Sequence, residues 1–254
     1  ALIVFIYEKS GSWFWVLAWV CISVFTLFIS YFYTTLLVPV FNKLTPLPAG
    51  ELRDSIEKVA ARSGFSLKEI SIMNGSKRST RGNAFFSGFG SKKSIVLYDT
   101  LVSEHSVDEL TAVLAHEIGH YKKKHVLKGL AAGVMQTGVL LFVLSLLLKS
   151  PLPSFALGAT EASFHMSVIA FGILYSPVST ILGILLNSVS RKHEFEADRF
   201  AVQLSQPGAL SEALKRLSVK NLSNLTPHPW YVFIHYSHPT LLQRLEAIDL
   251  AEKS

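Results

Sequence analysis

Three long stretches of the chain carry no charge, and the polar segments between them have periods that predict short elements. Trp13 to Phe41 is uncharged, has Pro39 near its end, and is long enough to span a bilayer with tilt. Gly129 to Leu148 is uncharged too and measures about 30 Å as a helix, the thickness of a hydrocarbon core. Met166 to Ser190 is a third such span, with Pro177 inside it as an expected kink. Trp13, Trp15, Tyr31 and Tyr33 are expected interfacial anchors. Asn42 to Lys128 is polar and mixed in charge. There Leu52, Ile56, Val59 and Ala60 mark an amphipathic helix that Gly64 can stop, and Leu67 to Met73 alternates as a strand. Asn83 to Gly90 and Ser94 to Tyr98 predict a hairpin turning around Gly90-Ser91-Lys92. Ser106-Val107-Asp108-Glu109 is a capping box, and Leu110, Val113, Leu114 and Ile118 form the apolar stripe of the helix it starts. Arg191 to Ser254 is polar and mostly helical in pattern, broken at Gln206-Pro207-Gly208 and Thr226-Pro227-His228-Pro229.

This pattern divides the chain into a first span (1–41), a polar α+β part (42–128), two spans with a short loop (129–190) and a polar helical part (191–254). The fold class expected is mainly α: multi-pass membrane helices with a cytoplasmic α+β domain holding a small sheet. Composition agrees with a membrane protein. Half of the residues are hydrophobic and 17% are charged, against about a quarter in soluble domains, and mean hydropathy is +0.37. The single cysteine, Cys21, excludes a disulfide framework and a cysteine metal cluster. The net charge of +6 raises the question of nucleic acid, but the basic residues flank apolar segments and no nucleic-acid motif is present. Lys122, Lys123, Lys124 and Lys128 precede the second span and Arg191 and Lys192 follow the third, whereas the loop between them carries only Lys149. The bias puts both polar parts on the cytoplasmic side and 149–165 on the other. The opening Ala-Leu-Ile-Val-Phe-Ile-Tyr has neither methionine nor a basic flank, so the chain is expected to be the C-terminal part of a longer protein, its first apolar segment truncated.

The candidate chemistry lies on the capped helix, in His116-Glu117-Ile118-Gly119-His120. Histidines four apart sit about 40° apart on one helical face, so both imidazoles can reach one zinc ion, with Glu117 beside them to take a proton from water. A catalytic zinc needs a third protein ligand. The longer motif that supplies a histidine downstream does not fit: Lys123 stands where its glycine belongs, Val126 where its histidine belongs, and His125 comes one place early. The other common source is a glutamate on a second helix, and His193-Glu194-Phe195-Glu196-Ala197-Asp198 offers one. Glu194 and Asp198 share a face, so Glu194 can ligate while Asp198 accepts a hydrogen bond from a ligating histidine. Spacing favours Glu194 and leaves Glu196 open; Glu196, nearly opposite on the helix, is expected to be solvated and paired with Arg191 or Arg199.

Six motifs in order resemble the integral-membrane zinc CAAX prenyl proteases: Phe-Asn-Lys-Leu-Thr-Pro-Leu-Pro at 41–48, Asn-Ala-Phe-Phe-Ser-Gly-Phe at 83–89, Ile-Val-Leu-Tyr-Asp-Thr-Leu at 95–101, His-Glu-Ile-Gly-His at 116–120, Ser-Arg-Lys-His-Glu-Phe-Glu-Ala-Asp-Arg-Phe-Ala at 190–201 and His-Tyr-Ser-His-Pro-Thr-Leu-Leu-Gln-Arg-Leu at 235–245. The resemblance implies one zinc per chain on His116, His120 and Glu194, with Glu117 as general base and Asp198 behind the ligands. It implies further that His238 and Arg244 line the site and steady the reacting carbonyl oxygen, and that Asn83, Ala84 and Phe85 lie on the edge strand where the substrate peptide adds. The family has about seven spans around an intramembrane chamber, and three complete ones are present here. The implied activity is endoproteolysis at a membrane, releasing a C-terminal tripeptide beside a prenylated cysteine, in the endoplasmic reticulum or a bacterial inner membrane. The partners would be a peptide or protein substrate and the lipid bilayer. A broad quality-control zinc protease or a non-cleaving zinc-bound scaffold are the alternatives.

Overall fold

A computed structural model describes residues 2–33, 37–77, 82–87 and 93–253. The chain divides into two units, one of Ala1–Ile29 with Val126–Leu185 and one of Ser30–His125 with Leu186–Ser254. The turn expected at Gly90-Ser91-Lys92 lies outside the described residues.

The first unit is helical. Helix α1 (Leu2–Ser10) and a single 3-10 turn at Gly11–Trp13 lead into α2 (Phe14–Phe32). Phe14 and Ala18 of α2 are buried with Leu141 and Leu144 of α7 (His125–Leu147) and Phe171 of α9 (Phe164–Val202). Trp19 donates from Nε1 to the Val134 carbonyl at 2.8 Å, and its indole lies where a side chain at Gly138 would stand. Phe25, Phe28, Ile173, Leu174, Ile181 and Leu185 are exposed. Apolar side chains pointing outward along helices of this length suit lipid, not water. Among the described residues three helices are long and apolar enough to cross a membrane: Val4–Phe32, His125–Leu147 and Phe164–Val202.

These helices differ from the uncharged stretches in where they end. The described part of the first runs to Phe32, and Val38–Phe41 forms helix α3, with Pro39 in its first turn; residues 34–36 lie outside the described residues. The second begins at His125, because Lys124 adopts a left-handed φ of 58° and breaks the chain there. The third runs on through Pro177 and past Ser190 to Val202. A change from apolar to charged residues does not end a helix; only Gln206-Pro207-Gly208 supplies a breaker.

The second unit is α+β. Its sheet has the order β1-β2-β4-β3, from β1 (Leu44–Pro46), β2 (Leu67–Met73), β3 (Ala84–Ser87) and β4 (Lys93–Tyr98). The central pair β2–β4 is parallel, with Ile70 opposite Ile95 and Met73 opposite Tyr98. The outer pairs are antiparallel, Leu44 facing Met73 and Ala84 facing Leu97. Pro46 stands on an edge strand, where its missing N–H does no harm. Alternation sends Ile95, Leu97 and Ala84 to one face, against Leu101 of α5 (Asp99–Glu104) and Leu110 and Leu114 of α6 (Val107–Lys122). Val96 and Phe85 face the other way, with Met73 and Val38. Helix α4 (Glu51–Arg62), the amphipathic helix expected, ends before Gly64 at φ 61°. Its Val59 and Ala60 share a core with Ala112, Ala115 and Ile118 of α6, Leu210 and Leu214 of α10 (Ala209–Lys220) and Ile248 of α12 (Leu241–Glu252). Helix α6 is thus packed on the sheet and on helices at once, which fixes the rotation of its remaining face. Two short helices complete the chain, α8 (Leu152–Ala156) and α11 (Pro229–His235).

Candidate metal centre

Helix α6 begins with the capping box read from sequence: Ser106 Oγ accepts from the Glu109 N–H, and the Glu109 carboxylate accepts from the Ser106 N–H. Beyond the cap, Leu110, Leu114 and Ile118 turn into the core, so His116 and His120 face α9. Gly119 makes the approach close. A side chain there would meet Ala197 Cα at 3.1 Å and Phe200 Cβ at 3.2 Å, and Ala197 is fully buried. Two small residues at one crossing let the helices come near enough for their polar side chains to meet. Gly119→Ala should therefore push the helices apart by a few tenths of an ångström and weaken metal retention, by about tenfold or more, while apparent melting changes little because alanine favours the helix. Zinc competition against a chelator beside a melting curve checks this.

Ligand-type atoms of three residues meet at that crossing. His120 Nε2 lies 3.1 Å from His116 Nε2, His116 Nε2 lies 3.6 Å from Glu194 Oε2, and His120 Nε2 lies 3.4 Å from Glu194 Oε1. His116, His120 and Glu194 are one group able to hold a metal ion. Tetrahedral arms of about 2.0–2.1 Å give edges of about 3.3–3.4 Å, close to these separations, of which the two to Glu194 end on different carboxylate oxygens.

The outer partners are in place as well. Asp198, 1% exposed, accepts from His116 Nδ1 at 2.8 Å. A carboxylate only accepts, so the proton sits on Nδ1 and the Nε2 lone pair faces the triangle. Arg244 grips Asp198 with two bonds, Nε to Oδ2 at 2.8 Å and Nη2 to Oδ1 at 2.5 Å, and sends Nη1 to Glu194 Oε2 at 3.3 Å. The 3.4 Å approach of Arg244 Nη2 to His116 Nδ1 follows from both groups aiming at Asp198 Oδ1. His238 Nδ1 stands 3.1 Å from Glu194 Oε1, with 65% of its side chain exposed. The hydrogen bond to Glu194 raises the His238 pKa above its ordinary value. Glu117 is half-buried beside the triangle. Burial pushes its carboxyl above the ordinary carboxylate range, against the pull of His116 and His120, the direction that suits a proton acceptor working near neutral pH.

Sequence reasoning missed three supports. Arg191 pairs with no acid of its own helix in the way expected: its Nη1 donates to the carbonyls of Tyr236 at 2.5 Å, Val232 at 3.3 Å and Phe233 at 3.4 Å. Asn187 donates to the Ile234 carbonyl at 2.9 Å. Together they tie the end of α11, and hence the His238 segment, to α9. Asn187, Arg191, Glu194 and Asp198 recur at steps of four, three and four, a polar stripe that could have identified them. Glu196 is the third correction. It meets His125 Nε2 at 3.2 Å instead of an arginine, and His125 Nδ1 lies 3.0 Å from His120 Nδ1.

Asn83 comes just before β3, and Ala84 and Phe85 stand on it. The sheet order makes β3 an outer strand. The Asn83 carbonyl accepts from the Tyr98 N–H at 2.9 Å and its side-chain oxygen from the Ala84 N–H at 2.9 Å. Phe86 packs on Phe65 at 5.0 Å between ring centres, and Phe65 on Tyr121 of α6 at 5.1 Å, which holds the strand to the metal-centre helix. A cavity of about 400 Å³, walled in part by Leu214, Ser218, His235 and Tyr236, adjoins His238 and Arg244.

Two histidines from one helix, a glutamate from another and a raised carboxyl beside them define the metallopeptidase class of centre. The chain belongs to peptidase family M48, whose model matches residues 46–252. Residues 1–43 match the family described as CAAX prenyl protease N-terminal, five membrane helices, and the protein is an integral membrane protein. It is 39% identical over 255 residues to the CAAX prenyl protease 1 homolog of Arabidopsis thaliana, a match covering 100% of this chain and 60% of that one. It is 39% identical over 229 residues to CAAX prenyl protease 1 of Saccharomyces cerevisiae, covering 84% and 51%. The crystal structure of S. mikatae Ste24p matches with a TM-score of 0.88 at 34% identity, covering 98% of this chain and 61% of that one. The chain thus spans between about half and three-fifths of these relatives.

Proposed function

We propose that the protein is a zinc endopeptidase of the membrane that removes a C-terminal tripeptide next to a prenylated cysteine. The observation that carries this reading is the triangle of His116, His120 and Glu194 with Glu117 beside it. The printed names of the relatives supply the substrate class. One zinc ion per chain would be held by His116, His120 and Glu194, and when bound it would acidify water toward a pKa of ~7 and polarise a carbonyl.

The chain's own residues carry the remaining work. Glu117 takes the proton of the attacking water and returns it to the leaving amine nitrogen. His238, exposed and with its pKa raised by the hydrogen bond to Glu194, donates toward the carbonyl oxygen as it gains charge. Arg244 acts differently from the role the resemblance implied. Its guanidinium is committed to Asp198 and Glu194, so it positions them and leaves the oxyanion to His238. The peptide adds to β3 in extended form, Asn83, Ala84 and Phe85 offering main-chain partners. The polar parts 42–128 and 191–254 face the cytoplasm, as the basic residues at 122–128 and 191–192 favour, 1–41 and 129–190 supply the membrane spans, and the loop 149–165 faces the other side.

The test is zinc content and cleavage by the detergent-solubilised protein, using a peptide that ends in a farnesylated cysteine plus three residues and its unprenylated twin. One zinc per chain with cleavage of the farnesylated peptide alone supports the whole reading. Equal cleavage of both peptides overturns the substrate class, and bound zinc without cleavage of either overturns the enzyme.

A further inference from the structure

His125 and Glu196 have no part in the mechanism above, yet they are arranged around one of its ligands. His125 is 5% exposed. Its ring stacks on that of His193, with centres 3.9 Å apart and planes at 10°, so it is held flat. It comes five residues after His120, which in a continuous helix would put it about 140° around the axis. The left-handed Lys124 breaks the helix between them and turns His125 back onto His120.

We infer that Glu196 and His125 form a relay that fixes His120 as a metal ligand; the inference rests on the zinc reading above. The logic is one of donors and acceptors. Glu196 Oε2 can only accept, so the facing His125 Nε2, at 3.2 Å, carries the proton. With Nε2 committed to Glu196, Nδ1 is the atom left to meet His120. That atom faces His120 Nδ1 at 3.0 Å, and two imidazole nitrogens bond only if one holds a proton. His120 turns Nε2 toward His116 Nε2 at 3.1 Å and Glu194 Oε1 at 3.4 Å, so as a ligand through Nε2 it carries its proton on Nδ1 and donates it to His125 Nδ1. Each ligating histidine is thus oriented by a carboxylate of α9. Asp198 acts on His116 directly, and Glu196 acts on His120 through a second ring. Both serve as positioning residues.

A relay in series predicts non-additive losses. Zinc affinity of the purified protein, measured by competition with a fluorescent chelator, should fall about 10–100-fold in His125→Phe and in Glu196→Ala. The double variant should lose no more than His125→Phe alone, whereas independent effects would multiply. Glu196→Gln keeps an acceptor for His125 and should fall between Glu196→Ala and wild type. Glu196 lies at the surface end of the relay, so its variants keep the proposal testable if His125→Phe fails to fold. Unchanged zinc affinity in Glu196→Ala, or multiplied losses in the double variant, overturns the relay alone, provided His116→Ala loses zinc. A wild-type protein that binds no zinc, or a His116→Ala variant that keeps it, overturns the metal reading itself and the relay with it.

Discussion

Glu117→Gln is expected to slow peptide cleavage by about 10²–10⁴-fold and to leave zinc content unchanged. The amide has the shape of the carboxylate but cannot hold the proton that must leave water and reach the amine. Glu117 stands outside the ligand triangle, so the metal keeps all three of its partners. Its raised pKa reports what this position costs the fold: burial disfavours the charged form, and the charge of Glu194 adds to the strain. A neutral glutamine relieves both, so the variant should melt at or slightly above the wild-type temperature. Loss of activity at equal or higher stability is the mark of a residue kept for chemistry and not for folding. Cleavage assays, zinc analysis and melting curves on the same preparations check all three. A variant that cleaves at the wild-type rate would remove Glu117 from the mechanism.

Much of the metal-centre helix was legible because its determinants are local. The Ser106–Glu109 cap, the apolar stripe and the two histidines lie within a few turns of one helix, and the structure has the cap and the helix where the pattern put them. Strands β2 to β4 were legible for the same reason, since period two and flanking turn residues are properties of short windows. What escaped depends on contacts between distant segments. Nothing near Glu196 announces His125, 71 positions away; the contact exists because Gly119 and Ala197 let α6 and α9 cross closely. Arg191 looked like a partner for neighbouring acids, but the carbonyls at the end of α11 reach it first. Helix α7 starts at His125, ahead of the uncharged stretch, because Lys124 takes a left-handed conformation usually left to glycine or asparagine.

The two carboxylates of the α9 stripe should part company when removed. Glu194→Ala takes away a ligand, so zinc affinity should fall by more than about 100-fold, beyond the range for an outer partner, and cleavage should vanish. The metal-free fold should survive, because Arg244 keeps both of its bonds to Asp198. Asp198→Ala leaves His116, His120 and Glu194 in the sequence but takes both bonds to Asp198 from the Arg244 guanidinium, which keeps only its 3.3 Å approach to Glu194, and frees His116 Nδ1. Leaving a buried charge with no partner costs about 3–5 kcal/mol and losing its nearer partner costs a share of that, so Asp198→Ala should be the variant that melts early, and its zinc should be lost through a site that no longer holds its shape. Melting of chelator-treated protein separates the cases: Glu194→Ala near wild type and Asp198→Ala well below it. Equal melting of the two would mean that the Asp198–Arg244 pair carries no share of the fold, and that α12 is held by the core around Ile248 alone.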